Sequence, residues 1–599
     1  MPAPHPGYDP AQSATVFAEI AERSGKLMGD FLQRHAGGKG IAGTDEFGIA
    51  RAFMDLAANM FTNPWKVAET QMRMFQDHMS LWQFSMLRMM GHDAKTVAEP
   101  AKGDERFRDE EWQSHFLFDY IKQSYLIAAR HIHDAVSSVE GLPEETRNKV
   151  NFFTRQYIDA LSPSNFALTN PQVLRETLQS GGQNLVKGLN NLLADLERGG
   201  GQLRISMTDE NAFKVGVNVA TTPGKVVFQN DLMQLIQYAP ATQQVFRRPL
   251  LIVPPWINKY YILDLREKNS FIRWAAGQGH TVFVISWVNP DERFAGKSFE
   301  DYMMEGTLAS LAAVEKATGE NDINVIGYCL GGTLLGATLA WMGEKGDHRA
   351  ASATFFVSLL DFSIPGELGI FIDEQQVENL ERRMNERGYL EGSEMAGTFN
   401  MLRANDLIWS FVINNYLLGK DPFPFDLLYW NSDSTRMPAK MHSFYLRNMY
   451  LGNKLKDPGG VTLGGVPIDL RMITIPAYFV STVEDHIAPW KSTYKGARIL
   501  KGPVKFVLGG SGHIAGIVNP PSANKYGYWT KPQLPESAEE WQEDASWNEG
   551  SWWNDWQDWI AALNGPERVP ARIPGEGGLK IIEDAPGSYA SFRLGAPKS

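Results

Sequence analysis

Cysteine is almost absent from this 599-residue sequence, which contains only Cys329. A single cysteine excludes an internal disulfide and a cysteine-rich metal site, as is usual in a reducing cytoplasm. No window approaches about eighteen uninterrupted apolar residues, so we predict no transmembrane helix. The first residues, MPAPHPGYDPAQSATVF, lack the basic region and apolar core of a secretory signal. We therefore expect a cytoplasmic protein.

Positive charge is also scarce. The 57 Lys and Arg residues are outnumbered by 69 Asp and Glu residues, which gives a net charge of −12. Together with the lack of a long Lys/Arg run, this argues against a general nucleic-acid-binding protein. The hydrophobic content of 43% and the charged content of 21% are ordinary for a globular protein. Because a chain of 599 residues is too long to fold around one simple hydrophobic core, we expect two or more domains.

Residues 1–205 have the apolar spacing of helices. In EEWQSHFLFDYIKQSYLIAARHIHDAV, for example, apolar residues recur three to four positions apart with little strand alternation. Pro, Gly and Asp punctuate residues 91–107, which we interpret as a linker between helices. The pattern predicts a mostly helical N-terminal domain.

Residues 206–564 show a different period, in which short apolar runs alternate with helix-compatible stretches. Alternation of this kind, with continuously apolar strands, predicts a mostly parallel sheet covered on both faces by helices. The predicted strands are KVVFQN (225–230), RPLLIVPPW (248–256), HTVFVISW (280–287), INVIGY (323–328), ATFFVSLLDF (353–362), PAYFVSTVED (476–485) and VKFVLGG (504–510).

Two segments depart from this alternation. Residues 363–450 lie between two predicted strands and are rich in aromatic, Leu and Met residues. We interpret them as a helical cap inserted over the carboxyl edge of the sheet. Residues 565–599 begin with a stretch rich in Pro and Gly, which predicts an extended C-terminal tail.

Cys329 lies in NVIGYCLGGT, where a predicted strand is followed by Gly-x-Cys-x-Gly and a helix-forming segment. A strand, a strained turn and a helix form the nucleophile elbow of the α/β-hydrolase fold. The glycines prevent collision between strand and helix, and the helix N-terminus favours a thiolate. Taken alone, the motif is weak and favours a buried structural cysteine.

An elbow nucleophile requires an acidic residue and then a histidine later in the chain. Asp485 ends the run PAYFVSTVED, and His513 follows the strand VKFVL in LGGSGHIAG. Either could be structural by itself, but both occur in the required order at predicted strand ends. We predict Cys329 as nucleophile and His513 as base for its thiol. Asp485 would orient His513 or assist a second proton transfer.

The oxyanion formed at such a nucleophile needs two hydrogen-bond donors. We predict the backbone N–H of Leu330 as one donor and that of Ile257, in the loop after RPLLIV, as the other. Trp256 is the alternative for the second donor and a candidate for substrate binding. His486, adjacent to Asp485, is interpreted as a packing or loop-fixing residue, with substrate binding as the alternative. No metal ligand is predicted.

Several longer segments resemble the polyhydroxyalkanoate synthases, in particular class I, over about residues 105–565. They include ISWVNPDERF, NVIGYCLGGT, LLYWNSDSTRMP, STVEDHIAPW and GGSGHIAGIVNPP. The resemblance implies an acyltransferase that polymerises (R)-3-hydroxyacyl-CoA, typically 3-hydroxybutyryl-CoA, and releases CoA. It implies that Cys329 carries the growing chain, that His513 deprotonates the thiol and that Asp485 helps to activate the 3-hydroxyl.

The resemblance also implies a homodimer associated with polyester granules in the cytoplasm. It implies no cofactor, because the CoA thioester is the substrate. One helical face in residues 71–90 is either ordinary core or an adaptable surface for polymer or granule proteins. The tryptophans between Trp541 and Trp559 are interpreted mainly as packing of the final helix. The face in question contains Met72, Phe75, Met79, Trp82, Met86 and Met89.

Two other functions use the same residues differently. A thioesterase or polyester depolymerase would share the scaffold and transfer the acyl group to water. A non-catalytic granule-associated protein would leave the ordered Cys, Asp and His residues without a role. The motif itself cannot decide whether water or a hydroxyacyl group accepts the acyl chain, but the longer family resemblance favours transfer. The near balance of thioester exchange between CoA and a cysteine supports a thiol rather than a serine as nucleophile.

Overall fold

The computed structural model describes residues 48–62 and 64–593. These residues divide into two compact units. The first comprises the chain up to Asp209 together with Asn400–Phe423, and the second comprises Glu210–Phe399 together with the chain from Pro424 onwards. Nowhere in the described ranges is a helix both long enough and apolar enough to span a bilayer.

The first unit is mostly helical over its described residues, which confirms the prediction for the N-terminal region. Local sequence explains individual helix starts: Asn170 caps one helix by accepting the Val173 N–H at 3.2 Å, and Pro171 occupies the first helical position. The helices before Asp209 are α1 (Ile49–Thr62), α2 (Pro64–Met89), α3 (Glu111–Ser114), α4 (Phe116–Ser137), α5 (Glu144–Ala160), α6 (Pro171–Gln179) and α7 (Gln183–Arg198).

Helix α2 buries one side and exposes another. Leu81 and Phe84 pack in a small core with Ile127 of α4. The apolar face predicted in residues 71–90 is exposed instead, with Phe75 at 63% and Trp82 at 53% of full exposure. The interpretation of this face as ordinary core is therefore wrong. We call it the Met/aromatic face, and it consists of Met72, Phe75, Met79, Trp82, Met86 and Met89.

The second unit contains the sheet. Its strands, with those of three small two-stranded ladders, are β1 (Gly224–Gln229), β2 (Met233–Tyr238), β3 (Gln244–Phe246), β4 (Leu250–Val253), β5 (Val282–Trp287), β6 (Ile323–Tyr328), β7 (Ala350–Phe356), β8 (Tyr389–Leu390), β9 (Met437–Pro438), β10 (Thr462–Leu463), β11 (Val466–Pro467), β12 (Ala477–Thr482), β13 (Val504–Gly509), β14 (Tyr528–Thr530), β15 (Ser546–Asn548), β16 (Arg568–Pro570) and β17 (Glu583–Asp584).

The main sheet has the order β15-β14-β13-β12-β7-β6-β4-β5-β2-β1-β17. The six central strands, from β13 to β5, are parallel. The strands outside them pair antiparallel. All seven predicted strands are present in this sheet. Because the carboxyl ends of parallel strands share one edge, the segments after β4, β6, β12 and β13 lie along the same edge.

The helices of the second unit cover the sheet and fill the connections between its strands. They are α8 (Phe271–Gly277), α9 (Phe299–Asp301), α10 (Ala309–Thr318), α11 (Leu330–Lys345), α12 (Glu374–Arg387), α13 (Gly392–Leu402), α14 (Asp426–Ser432), α15 (Ala439–Tyr445), α16 (Trp490–Ile499), α17 (Ala538–Glu543), α18 (Trp552–Asn564) and α19 (Gly587–Ser591). The connection from β7 to β12 contains α12–α15 and a π-helical turn, Leu446–Leu451.

Strand β2 is not predicted by the apolar pattern, because Gln234 and Gln237 interrupt it. Both glutamines are buried, and their amides have partners. Gln234 donates to Gln229 at 2.8 Å and to Ser588 at 3.0 Å, and Gln237 donates to the Arg572 carbonyl at 3.2 Å. Hydrogen bonds formed only in the folded chain therefore make these polar positions compatible with burial.

The segment after residue 564, predicted as an extended tail, is part of the second unit and is folded as far as it is described. It supplies β16, β17 and α19. Lys259 is buried and donates to the Ala590 carbonyl at 2.9 Å, and its ammonium also pairs with Asp433 at 2.9 Å. Since a buried ammonium requires acceptors, these contacts fix the position of the segment. Composition alone could not indicate them.

Candidate active site

Cys329 stands at a sharp turn between β6 and α11. Its backbone has φ 53° and ψ −120°, a conformation that is strained for a residue with a side chain. The turn is held on both sides: the Cys329 N–H donates to the Phe356 carbonyl at 2.9 Å, and the Cys329 carbonyl accepts the Gly332 N–H at 2.9 Å. This is the geometry of a nucleophile elbow.

Two glycines make the turn sterically possible. A Cβ on Gly327 would lie 2.4 Å from the Cα of Gly332, so a side chain there would collide with the start of the helix. A Cβ on Gly331 would lie 2.1 Å from the Val253 carbonyl oxygen at the end of β4. The Gly-x-Cys-x-Gly spacing is therefore required by the close approach of strand, helix and neighbouring strand.

Asp485 and His513 form a buried pair on the loops after β12 and β13. His513 Nδ1 lies 2.6 Å from Asp485 Oδ2. The other oxygen, Asp485 Oδ1, accepts the N–H groups of Ile487 at 2.9 Å and Ala488 at 2.8 Å. Since a carboxylate can only accept, Nδ1 carries the proton and Nε2 is the nitrogen available to a thiol.

Further contacts position the His513 loop. The Glu484 N–H donates to the Ser511 carbonyl at 3.0 Å, which joins the loop of Asp485 to that of His513. From α18, the Trp552 indole donates to the Gly516 carbonyl at 2.8 Å and the Trp553 indole donates to the Ile517 carbonyl at 2.9 Å. The tryptophans of this helix therefore pack as predicted and also hold the backbone beyond His513.

The three side chains are coupled electrostatically. Burial lowers the pKa of His513, but the negative charges of Asp485 and of the Cys329 thiolate, with their hydrogen bonds, outweigh it. The net effect raises the pKa of His513 from 6.5 to about 10. With this pKa His513 stays protonated at neutral pH when Cys329 is a thiolate, so the pair keeps the thiol proton on the imidazole.

The two predicted oxyanion donors lie beside Cys329. Leu330 is the first residue of α11, so its N–H has no acceptor within the helix. Ile257 lines the same small cavity as Cys329 and Leu330. The Ile257 carbonyl accepts the Thr435 N–H at 3.0 Å, and this hydrogen bond fixes the loop that carries Ile257.

The cavity at Cys329 has a volume of about 60 Å³ and is mostly apolar. Residues 363–450, the predicted cap, supply part of its wall, including Leu368, Ile372, Met395, Phe399, His442, Tyr445, Leu446 and Tyr450. Sequence reasoning singled out none of these side chains. Helical spacing in HSFYLRNMY, which aligns positions 442, 445 and 449 on one face, was the available signal.

The remaining two candidates are placed differently. Trp256 is buried among aromatic rings, with centroids 5.1 Å from Tyr302 and 6.1 Å from Tyr445. His486 is half-buried, and its carbonyl accepts the Glu367 N–H at 3.2 Å. Neither is among the residues that line the cavity, and substrate binding by either stays a prediction. Within the ranges that the structure covers, no group of three His, Cys, Asp or Glu residues is arranged to hold a metal ion.

The fold and the site together define the class: an α/β-hydrolase fold with a cysteine at the elbow position and a histidine–aspartate pair beside it. A family described as the alpha/beta hydrolase fold matches residues 249–520. A second family, described as the N-terminus of poly-beta-hydroxybutyrate polymerase (PhaC), matches residues 103–275. The predicted fold class is confirmed.

Curated relatives extend the match to nearly the whole chain. The poly(3-hydroxyalkanoate) polymerase subunit PhaC of Rhizobium meliloti is 48% identical over 98% of this chain and 96% of its own length. The poly(3-hydroxyalkanoate) polymerase of Methylorubrum extorquens is 49% identical over 97% and 95%. The subunit PhaC of Cupriavidus necator is 41% identical over 93% and 92%.

The chain belongs to the family of poly(3-hydroxyalkanoate) polymerases. This confirms the family resemblance, including class I, and the prediction that the protein is an acyltransferase. The cap segment lies within the second family region, whereas the C-terminal segment lies outside both regions and is reached by the relatives' match over 98% of the chain.

Proposed function

We propose that the protein polymerises (R)-3-hydroxyacyl units, with 3-hydroxybutyryl-CoA as the substrate, through an acyl intermediate on Cys329. The observation that carries this proposal is the His513–Asp485 pair, joined at 2.6 Å beside a cysteine on a strained elbow. A thiol in this position forms a thioester of about the same energy as the CoA thioester. The acyl group can therefore pass to another acceptor rather than remain trapped.

In the first step His513 Nε2 takes the proton of Cys329, and the thiolate attacks the thioester carbon of the substrate. The N–H groups of Leu330 and Ile257 donate to the oxyanion that develops. The bond from the acyl carbon to the CoA sulfur then breaks. The CoA thiolate leaves and recovers the proton from His513, so the products are CoA and acyl-Cys329.

In the second step the 3-hydroxyl oxygen of an incoming 3-hydroxyacyl-CoA attacks the thioester carbon of acyl-Cys329. His513, oriented by Asp485, takes the hydroxyl proton, an ester bond forms and the carbon–sulfur bond breaks. The proton finally passes to the released thiolate. The extended acyl-CoA then acylates Cys329 again as in the first step, so one CoA is released for each repeat unit added, and no cofactor takes part.

Exclusion of water distinguishes polymerisation from hydrolysis. The cavity at Cys329 is lined mainly by apolar side chains, and its volume of about 60 Å³ is far below the roughly 300–1,000 Å³ of ordinary ligand pockets. Substrate entry therefore requires movement of the wall formed by the cap segment, which closes again over the acyl enzyme. This closure disfavours water as the acyl acceptor.

The Met/aromatic face of α2 supports association with the polyester granule. Its six side chains are all exposed, and unbranched Met side chains adapt to irregular apolar surfaces. We assign this face to the granule surface. The predicted homodimer stays a prediction, which light scattering of the purified protein would check.

The function is tested by mixing the purified protein with 3-hydroxybutyryl-CoA and following CoA release together with insoluble polyester. Cys329→Ala is the matched control, and both should fold alike. We expect polymer in proportion to CoA for the wild type and neither product for Cys329→Ala. Free 3-hydroxybutyrate without polymer would establish a thioesterase, and the absence of CoA release would establish a granule-binding protein.

A further inference from the structure

A second histidine lies at the cavity of Cys329. His442 is part of α15, is only 3% exposed, and lines the same cavity as Cys329. Neither of its ring nitrogens has a hydrogen-bond partner among residues 48–62 and 64–593. Buried polar groups nearly always have partners, so this pair of nitrogens points to a ligand in the cavity.

The imidazole of His442 is neutral at physiological pH. Burial lowers its pKa from 6.5 to about 4. A neutral imidazole carries one N–H donor and one bare acceptor nitrogen. It can therefore bind a group that both donates and accepts hydrogen bonds, and a hydroxyl is such a group.

The other polar side chains of the cavity are largely committed. The Thr333 hydroxyl donates to the Leu359 carbonyl at 2.7 Å, and the Tyr445 hydroxyl donates to Thr333 at 3.4 Å. The carbonyl of a bound thioester is matched by the N–H groups of Leu330 and Ile257. In an otherwise apolar cavity, this leaves the 3-hydroxyl of the acyl unit as the substrate group that still needs a partner.

We propose that His442 binds the 3-hydroxyl of the acyl unit attached to Cys329, and so selects 3-hydroxyacyl over unsubstituted acyl thioesters. This inference rests on the proposed function and adds a specificity-determining residue from the cap segment. His442 differs from His513 in its role: it holds the hydroxyl of the unit already bound and transfers no proton to or from sulfur.

Acylation of Cys329 by (R)-3-hydroxybutyryl-CoA and by butyryl-CoA, which lacks the hydroxyl, tests the proposal. The rates are measured in a single turnover as CoA release and as the mass of the acylated protein. In His442→Phe, acylation by the hydroxylated substrate should slow by about tenfold, the value of one lost hydrogen bond, while acylation by butyryl-CoA is unchanged. His442→Gln, which keeps a donor and an acceptor, should retain most of the preference.

Two control variants separate binding from folding. His280→Phe removes another buried neutral histidine, whose Nε2 bonds to Gln557 at 2.9 Å and which does not line the cavity. It should leave the ratio of the two rates unchanged. Tyr450→Phe removes a hydroxyl from the cavity wall and should change the ratio less than His442→Phe does.

The outcomes distinguish this inference from the function on which it rests. Equal slowing of both substrates in His442→Phe, no slowing of either, or a wild type that does not prefer the hydroxylated substrate would overturn the assignment of His442 alone. Loss of preference in Tyr450→Phe but not in His442→Phe would move the role to the tyrosine. A wild type that forms no acyl-Cys329 with either substrate would overturn the proposed function and this inference together.

Discussion

Helices α2 and α18 both carry large apolar side chains on one face, yet one face is exposed and the other is buried. On α18, Trp552, Trp553 and Trp556 are each about 1% exposed or less, and their indole N–H groups all have acceptors. On α2, Trp82 is 53% exposed. Spacing therefore predicts which side chains share a face of a helix, whereas what covers that face depends on the rest of the fold.

The largest loss of stability is expected for a substitution on α18. Trp553→Ala removes a fully buried indole and the hydrogen bond that holds the Ile517 carbonyl. We expect the free energy of unfolding to fall by about 3–5 kcal/mol, because a large cavity is created. Urea unfolding measures this loss, with Trp82→Ala on α2 as the matched control. Equal losses for the two variants would show that the two faces do not differ.

The second prediction concerns the pair that α18 helps to position. The pKa of His513 is raised from 6.5 to about 10, so the folded state binds this proton more tightly than the unfolded state. The resulting stabilisation is fully present below pH 6.5 and is lost as the pH rises towards 10. Asp485→Asn should therefore cost about 1.5–3 kcal/mol near pH 6 and progressively less towards pH 10.

Urea unfolding of the wild type and Asp485→Asn at several pH values between 6 and 10 checks this dependence. Trp82→Ala serves as a control whose difference from the wild type should not change with pH. A difference between the wild type and Asp485→Asn that grows with pH would mean that Asp485 does not hold the imidazolium.

A smaller effect is expected when only a hydrogen bond is removed from α18. Trp552→Phe keeps most of the ring but loses the N–H that donates to the Gly516 carbonyl, three residues beyond His513. We expect a loss of about 1 kcal/mol in stability and slower acylation of Cys329, because the His513 loop is less well held. Trp559→Phe, on the partly buried side of the same helix, should slow acylation less. If both variants acylate at the wild-type rate, α18 does not position His513.

The smallest effect on stability is expected on α2. Phe75→Ser combined with Trp82→Ser should change the free energy of unfolding by no more than about 0.5 kcal/mol, because both side chains are exposed. The same variant should bind less to purified polyester granules in a sedimentation assay. Loss of stability without loss of granule binding would mean that this face is covered by the protein itself.

Much of the site could be predicted because its signals are local. The glycines around Cys329 follow from the close approach of β6 and α11, and Asp485 and His513 follow strands that end at one edge of the sheet. His442 could not be predicted in this way. Its proposed role in binding depends on two ring nitrogens that lack hydrogen-bond partners. That is a property of the packed structure and not of the segment HSFYLRNMY.

The fold, like the site, has elements that the local sequence predicts and elements that depend on distant residues. The apolar central strands were predictable from their composition, since they are buried on both faces. Strand β2 was not, because its buried glutamines depend on Ser588 and Arg572, more than 300 residues away. The folded C-terminal segment likewise depends on Lys259, whose buried ammonium contacts carbonyls that no local pattern indicates.

The central claim is that Cys329 carries the acyl chain. Its most direct test is rapid mixing of the protein with (R)-3-hydroxybutyryl-CoA, acid quenching and mass spectrometry of the peptide that contains Cys329. We expect this peptide to gain one or more 3-hydroxybutyryl units in the wild type, and to gain more of them with time. Polymer formed while the Cys329 peptide stays unmodified at every time point would contradict the account.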